Sequence, residues 1–179
     1  KASQKYKESN GISAVFNLQI RSKANQKAEV IEGSIQMKGD KFTLKTPQSY
    51  TWYDGATQRE NMEQTEEVNV SKPEGDELQF TNPVVLLNTY KKGFTAKYKG
   101  ESTNQSGKKV FDITLVPKNR KSDISKIDLR IDKITNFPAS ITVTNKNGVS
   151  NTILISKLIT GVNQSASVFV FDQRKFPNA

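Results

Sequence analysis

The chain has 179 residues, of which 34% are hydrophobic and 25% charged, and it contains no cysteine and no histidine. This length suffices for one large domain with a buried core, while the composition excludes disulfides, thiol nucleophiles, the usual metal ligands and the commonest acid–base group of enzymes. We therefore predict a single domain over residues 1–179 that is not an enzyme and that carries no metal and no cofactor.

The N-terminal third begins with a helix signal and continues with a strand. Residues 1–8 are polar and rich in good helix formers, and Asn10-Gly11 is typical of a helix end, so we predict the truncated remnant of an amphipathic helix. From Ile12 to Ile20 apolar residues occupy every second position, which predicts the first strand.

The stretch GSIQMKGDKFTLKTPQSYTWYDG, residues 33–55, organises the fold. Its two alternating runs are joined by Gly39-Asp40, which predicts a hairpin with one apolar face. Pro47 ends that ladder, and an aromatic run leads to a second turn at Asp54-Gly55. The apolar and aromatic residues of the stretch are Ile35, Met37, Phe42, Leu44, Tyr50, Trp52 and Tyr53.

The middle of the chain is more polar. The pattern of residues 57–70 predicts an edge strand or a strand pair with a solvent-exposed face. Asn82-Pro83 is a helix-opening signal, so residues 84–90 predict a short apolar helix that ends at Lys91-Lys92-Gly93 and covers the open side of a sheet.

Strands dominate the second half. The turn residues delimit strands at residues 94–99, 109–116, 125–133, 138–145 and 150–158. In the third of these, apolar residues alternate with Asp128, Arg130 and Asp132, which indicates surface charge balance rather than a catalytic carboxylate pair. About ten strands with one apolar face and little helix predict a sheet that curls around that face.

The net charge of +9 is spread over short clusters beside turns, at 91–92, 108–109 and 118–121. This dispersion favours solvated loop tips, so no nucleic-acid partner is expected; a module that binds nucleic acid or an anionic leaflet through these loops is the alternative from another functional class. No stretch has the length and apolarity of a membrane span, and no signal peptide opens the sequence, as in a mature exported protein.

A family resemblance covers essentially the whole chain. The segments GDKFTLKTPQSYTWYDG, NPVVLLNTY, VFDITLVPKN, KIDLRID and SVFVFDQRKFPNA follow one another in the order and spacing of the LolA family of periplasmic lipoprotein carriers. The resemblance implies a mainly β fold with short helices, in which a curved antiparallel sheet forms an unclosed β-barrel lidded by helices.

The resemblance also implies a function. A carrier of this family binds the acyl chains of lipoproteins in an apolar half-barrel cavity, in the periplasm, and transfers them toward the outer membrane. Its expected partners are acylated lipoproteins or other lipids, an inner-membrane release complex and an outer-membrane acceptor, and we expect a monomer. A binder or sensor of another amphiphile, such as a glycolipid or a fatty acid, is the alternative on the same fold.

The expected ligand-binding residues share an apolar strand face or the predicted lid helix. They are Phe16, Leu18, Ile20, Ile35, Met37, Phe42, Leu44, Tyr50, Trp52, Leu86, Leu87 and Tyr90. Many carriers have an arginine directly before the hairpin proline, where this chain has Thr46 preceded by Lys45. We therefore predict a different lid latch, with Lys45 as the candidate anchor for a lid or a headgroup.

Overall fold

The computed structural model describes residues 1–22, 28–73 and 93–177. A short helix, α1 (Ala2–Glu8), precedes the strands, and 3-10 helices at Ala166–Phe169 and Gln173–Lys175 follow them. The strands are β1 (Ile12–Arg21), β2 (Glu29–Lys38), β3 (Lys41–Lys45), β4 (Ser49–Tyr53), β5 (Gln58–Met62), β6 (Glu67–Ser71), β7 (Phe94–Thr103), β8 (Lys109–Pro117), β9 (Ile124–Asp132), β10 (Pro138–Asn145) and β11 (Ser150–Thr160). Within the described ranges, no helix is long and apolar enough to cross a membrane.

All eleven strands belong to one antiparallel sheet, in the order β6-β5-β4-β3-β2-β1-β11-β10-β9-β8-β7. Almost every neighbour in the sheet is also a neighbour in sequence, as expected from local hairpins; β1 next to β11 is the long-range pair that joins the two halves. The sheet is curved and unclosed, with β6 and β7 at its edges. The predicted fold class is thus confirmed, and the polar stretch 57–70 supplies the edge pair β5 and β6.

Cross-strand register assigns the side chains to two faces. Ile35 lies opposite both Ala14 and Leu44, and Leu44 lies opposite Thr51, so these residues share the inner face. Their neighbours along each strand point to the outer face because the side-chain period of a strand is two. The buried core cluster, which includes Met37, Phe42, Leu115, Ile127 and Ile141, belongs to the inner face.

The hairpin predicted at Gly39-Asp40 forms as expected. Gly39 has φ +59°, which the turn requires and which glycine adopts without a Cβ penalty. Gly33 has a different role, because a Cβ there would lie 2.5 Å from Phe16 Cζ and 2.8 Å from the Lys45 carbonyl oxygen. The absent side chain lets the Phe16 ring and the end of β3 approach β2, which helps the sheet to curl inward.

The chain after β11, residues 161–177, forms a C-terminal strap against the outer face near β3 and β4. Gln164 is buried, and its Nε2 donates to the Ile12 carbonyl oxygen at 3.0 Å. The carbonyl oxygen of Gln164 accepts from Lys38 Nζ at 3.3 Å. Phe169 of the strap is 1% exposed, so it is fully part of the protein interior. The strap therefore gives the outer face a second apolar core.

Candidate functional site

The inner face of the curved sheet encloses an apolar cavity of about 160 Å³. Residues from α1, β1, β2, the β3 end, β9, β10 and β11 surround it. The described lining residues are Tyr6, Ile12, Ala14, Phe16, Leu18, Ile35, Met37, Leu44, Thr46, Ile124, Ile127, Phe137, Pro138, Val143, Asn145, Asn151, Ile153, Ile155 and Leu158.

The lining is suited to hydrocarbon. Among the described lining residues none is charged, and the polar side chains are Tyr6, Thr46, Asn145 and Asn151. Thr46 Oγ1 already accepts from the Ser49 backbone N–H at 3.1 Å within its turn. A cavity of this composition favours apolar groups, since burying a charge there without a partner would be costly.

One end of the cavity is capped by α1 through Tyr6. The Tyr6 hydroxyl donates to the Gly39 carbonyl oxygen at 3.0 Å, and its ring lies on the cavity wall. Burial, with a smaller contribution from Asp40, raises the pKa of Tyr6 above its usual value, so the hydroxyl remains a protonated donor at neutral pH. This side-chain bond links the short helix to the β2–β3 hairpin.

The hairpin between β9 and β10 supplies Phe137 and Pro138 to the same end. Asp132, expected among the surface charges, is instead 8% exposed and holds this turn. Its Oδ1 accepts from the backbone N–H groups of Ile134 at 2.8 Å and Thr135 at 2.9 Å. Burial alone would raise the pKa of Asp132, but these bonds and Lys108 outweigh it and hold the pKa below its usual value.

The lowered pKa of Asp132 predicts acid sensitivity. A depressed folded-state pKa stabilises the protein above the unfolded-state value, near 3.8, and this stabilisation is lost as pH falls through the folded-state pKa. We expect Asp132→Asn to lower the free energy of unfolding at pH 7 by on the order of 1 kcal/mol, because hydrogen bonds to a charged acceptor are stronger. Urea titrations of both proteins at pH 7, 4 and 2.5 measure this difference in the free energy of unfolding.

The difference between wild type and Asp132→Asn should shrink below pH 4 and vanish at the lowest pH. Glu101→Gln is the control, because Glu101 pairs with Lys133 at 2.8 Å on the surface, where such pairs contribute little. A constant difference across the pH range would show that Asp132 acts through packing rather than through its charge.

Five of the residues expected from sequence to bind ligand lie on the cavity wall: Phe16, Leu18, Ile35, Met37 and Leu44. Their role in binding stays a prediction. Phe42 is 1% exposed within the core cluster, and Ile20 lies opposite Asn151, half-buried toward one end of β1. Neither is among the lining residues.

Tyr50 and Trp52 lie on the outer face, so the expectation that they line the cavity is corrected. Lys45 lies on the same face. Lys45 is opposite Tyr50 and Thr43 is opposite Trp52, whereas the cavity residue Leu44 is opposite Thr51. Side chains alternate between the two faces along β3 and β4, so the residues next to Leu44 and Thr51 lie on the face opposite to the cavity. Lys45 Nζ lies 5.9 Å from the Tyr50 ring centroid, and its role as an anchor for a lid or a headgroup stays a prediction.

Leu86, Leu87 and Tyr90, with the predicted helix 84–90, lie outside the described residues. Sequence reasoning missed Tyr6, Phe137 and the two asparagines. The alternation of Ile153 and Ile155 could have located the β11 wall, but Asn145 beside Asn147-Gly148 is typical of a turn. Its place on a cavity wall follows from tertiary packing.

The chain is similar to a known protein family and to solved structures with the same fold. The family model "Outer membrane lipoprotein carrier protein LolA" matches residues 8–148. An uncharacterized conserved protein from Thermus thermophilus has 11% identity and a TM-score of 0.62, covering 93% of this chain and 88% of that one. A DUF1329 family protein from Desulfovibrio piger has 12% identity and a TM-score of 0.51, covering 94% of each chain. These two structures share the fold. Comparison with curated protein sequences gave no match.

Proposed function

The chain belongs to the LolA family of outer membrane lipoprotein carriers, and from that premise we propose that it is a non-enzymatic carrier whose cavity takes up acyl chains. The observation that carries the proposal is the apolar cavity on the inner face of the unclosed sheet, with no charge among its described lining residues. Withdrawing an acyl chain from water gains about 0.8 kcal/mol per CH₂, so a binder of this kind needs little besides apolar walls.

The size of the cavity requires a conformational change. A volume of about 160 Å³ is comparable to an engineered cavity that holds a single benzene, so it admits only a short part of an acyl chain. We propose that α1 moves away when a chain enters. Ligand-to-wall contacts then replace those of Tyr6, so binding and release each exchange one apolar contact for another.

The cargo and its route form the finer part of the proposal. Its family membership supports the proposal that the protein takes up the acyl chains of lipoproteins and passes them toward the outer membrane. This role places it in the periplasm, working as a monomer between an inner-membrane release complex and an outer-membrane acceptor. It also requires no chemical step, in keeping with a carrier.

The direct test is binding by the delipidated full chain. We expect a fluorescent fatty acid and a synthetic acylated peptide to bind and to compete with each other, while the same peptide without its acyl chain does not compete. Mass spectrometry of organic extracts from protein purified under native conditions should find acyl-bearing molecules. Lack of binding by both acyl probes would refute the carrier function.

The role of α1 is tested by Tyr6→Phe. This change keeps the buried ring but removes the hydrogen bond to Gly39, which contributes about 0.5–1.5 kcal/mol. If α1 must leave before a chain enters, a weaker latch makes opening easier, and we expect acyl-probe affinity to rise about three- to tenfold. Isothermal titration calorimetry measures the affinity of both proteins for the acyl probe.

Tyr98→Phe is the matched control, because Tyr98 is 63% exposed on the edge strand β7. It should bind the acyl probe as wild type does. An unchanged or lower affinity in Tyr6→Phe would contradict the opening of the cavity at α1.

A further inference from the structure

Two asparagines lie on the cavity wall at the end away from α1. Asn145 ends β10, and Asn151 lies near the start of β11, opposite Val143. Both line the cavity, where most of the other described residues are apolar. Each Oδ1 is buried and has no hydrogen-bond partner in the described part of the chain.

Such oxygens indicate a polar ligand group. A buried acceptor without a donor is unfavourable, so most buried polar atoms in proteins are paired. An asparagine offers a carbonyl oxygen and an NH₂ group that exchange places when the amide rotates, so it can donate to a carbonyl or accept from an N–H. The carbonyl of an ester or an amide linkage next to an apolar chain can accept from the NH₂ group, and an amide N–H or a hydroxyl beside an ester can donate to the oxygen.

Cationic turns adjoin the same end of the cavity. The β8–β9 turn carries Arg120 and Lys121, and the β10–β11 turn begins at Lys146, directly after Asn145. The two turns are in contact: the Lys146 backbone N–H donates to the Asp123 carbonyl oxygen at 2.8 Å, and Lys146 Nζ donates to the Arg120 carbonyl oxygen.

These cations are next to the cavity in sequence as well as in space. Ile124 directly follows Asp123, and both Ile124 and Asn145 line the cavity. Arg120, Lys121 and Lys146 are exposed, and Asp123 is the carboxylate among them. From the inside of the cavity outward, the site therefore consists of three zones: the apolar wall, the neutral amides of the two asparagines, and the turns with net positive charge.

We propose that the same cavity also binds a second class of ligand, an acyl amphiphile with a phosphate head. Its chain lies in the cavity, its ester or amide linkage hydrogen-bonds Asn145 and Asn151, and its phosphate lies against Arg120, Lys121 and Lys146. Hydrocarbon, neutral linkage and anion follow one another in a phospholipid in the same order as the three zones of this site, and basic side chains bind such heads. This inference rests on the acyl-binding part of the proposed function and adds phospholipids to the lipoproteins as a ligand class.

The charge of the head is tested by competition. The delipidated chain is loaded with the neutral apolar probe N-phenyl-1-naphthylamine. The probe is then displaced by two monoacyl lipids of equal chain length, an anionic one with a phosphoglycerol head and a neutral monoacylglycerol without phosphate. We expect the anionic lipid to displace the probe at about fivefold lower concentration at low salt, and the difference to shrink at high salt. Glycerol phosphate without a chain should not displace it.

Two double variants test which cations cause the preference for the anionic lipid. Arg120→Gln/Lys121→Gln should reduce the difference between the two lipids to less than about twofold, because it removes two of the cations that face the head. Lys41→Gln/Lys109→Gln has the same change in net charge at turns on the opposite end and should keep the wild-type preference.

Asn151→Leu tests the linkage. The leucine removes the unpaired oxygen, so we expect the ligand-free Tm to rise and the naphthylamine probe to bind as well as before. Both monoacyl lipids should compete about tenfold less effectively, because they share the linkage. A purely structural asparagine would not separate stability from lipid binding in this way. Asn17→Leu, the same change on β1 opposite the outer-face residue Leu154, is the control and should leave competition unchanged.

The outcomes separate the two proposals. Equal displacement by both lipids, with wild-type competition in Asn151→Leu, would overturn the phosphate-head inference and leave the carrier function standing. If neither the naphthylamine probe nor any monoacyl lipid binds, the carrier function fails with it.

Discussion

Ala14→Phe is expected to abolish acyl-probe binding, with a loss of affinity of at least about a hundredfold, since filling the cavity removes the apolar surface that several methylenes would contact. Ala14 lies on β1 in the cavity wall, 4% exposed, between Ile35 on one neighbouring strand and Leu158 on the other. The cavity of about 160 Å³ receives the new ring, so the cost in stability should stay near that of modest overpacking, about 1–3 kcal/mol.

Titration of the fluorescent fatty acid measures this loss, and urea unfolding measures the stability of the same variant. Ser13→Phe is the matched control, because Ser13 precedes Ala14 and projects from the outer face opposite Gln36 and Ile159. It should bind the probe as wild type does. Binding by Ala14→Phe with wild-type affinity would place the acyl site elsewhere on the molecule.

Trp52→Ala is expected to lower the free energy of unfolding by about 3–5 kcal/mol and to leave the affinity of the folded protein for acyl probes unchanged. Trp52 is 7% exposed, and its ring stacks on Tyr50 at 4.1 Å and meets Phe171 and Phe176 edge-on at 5.2 and 5.3 Å between centroids. The substitution thus detaches the C-terminal strap from the outer face while the cavity wall keeps its residues.

Circular dichroism during urea unfolding measures the stability loss, with Tyr98→Ala on the exposed edge as a control that should lose far less. A double-mutant cycle with Phe171→Ala should show a coupling of about 0.5–1.5 kcal/mol for the ring pair. Trp52 is the single tryptophan of the chain, so its emission offers a second readout. The emission of Trp52 should change little when acyl chains bind. Strong quenching by a bound ligand would show that Trp52 lies next to the bound chain and would contradict its position outside the cavity.

The strand pattern was readable from sequence because each half of the sheet is built from hairpins. The alternation through Ile35, Met37, Phe42 and Leu44 identified the inner face, and Gly39-Asp40 identified the turn between them, both of which depend on local geometry. The error at Tyr50 and Trp52 arose where aromatic side chains alone suggested a ligand site. Register placed them on the other face, where the strap supplies an apolar partner about 120 residues later in the chain.

The candidate site was less predictable than the fold. Asn145 and Asn151 are unremarkable polar residues beside a turn, and Tyr6 belongs to a polar N-terminal helix, so neither pattern indicates a cavity. Their position became visible only when β1 paired with β11 and brought both ends of the chain to one wall.

Strand period and turn chemistry are local properties of the chain, so a curled antiparallel sheet with one apolar face could be predicted from the residues alone. Which apolar residues line the cavity and which pack in the core depends on the tertiary structure. That choice depends on how the two halves of the sheet close on each other and on where α1 and the C-terminal strap lie, and such long-range contacts leave no periodic trace in the sequence.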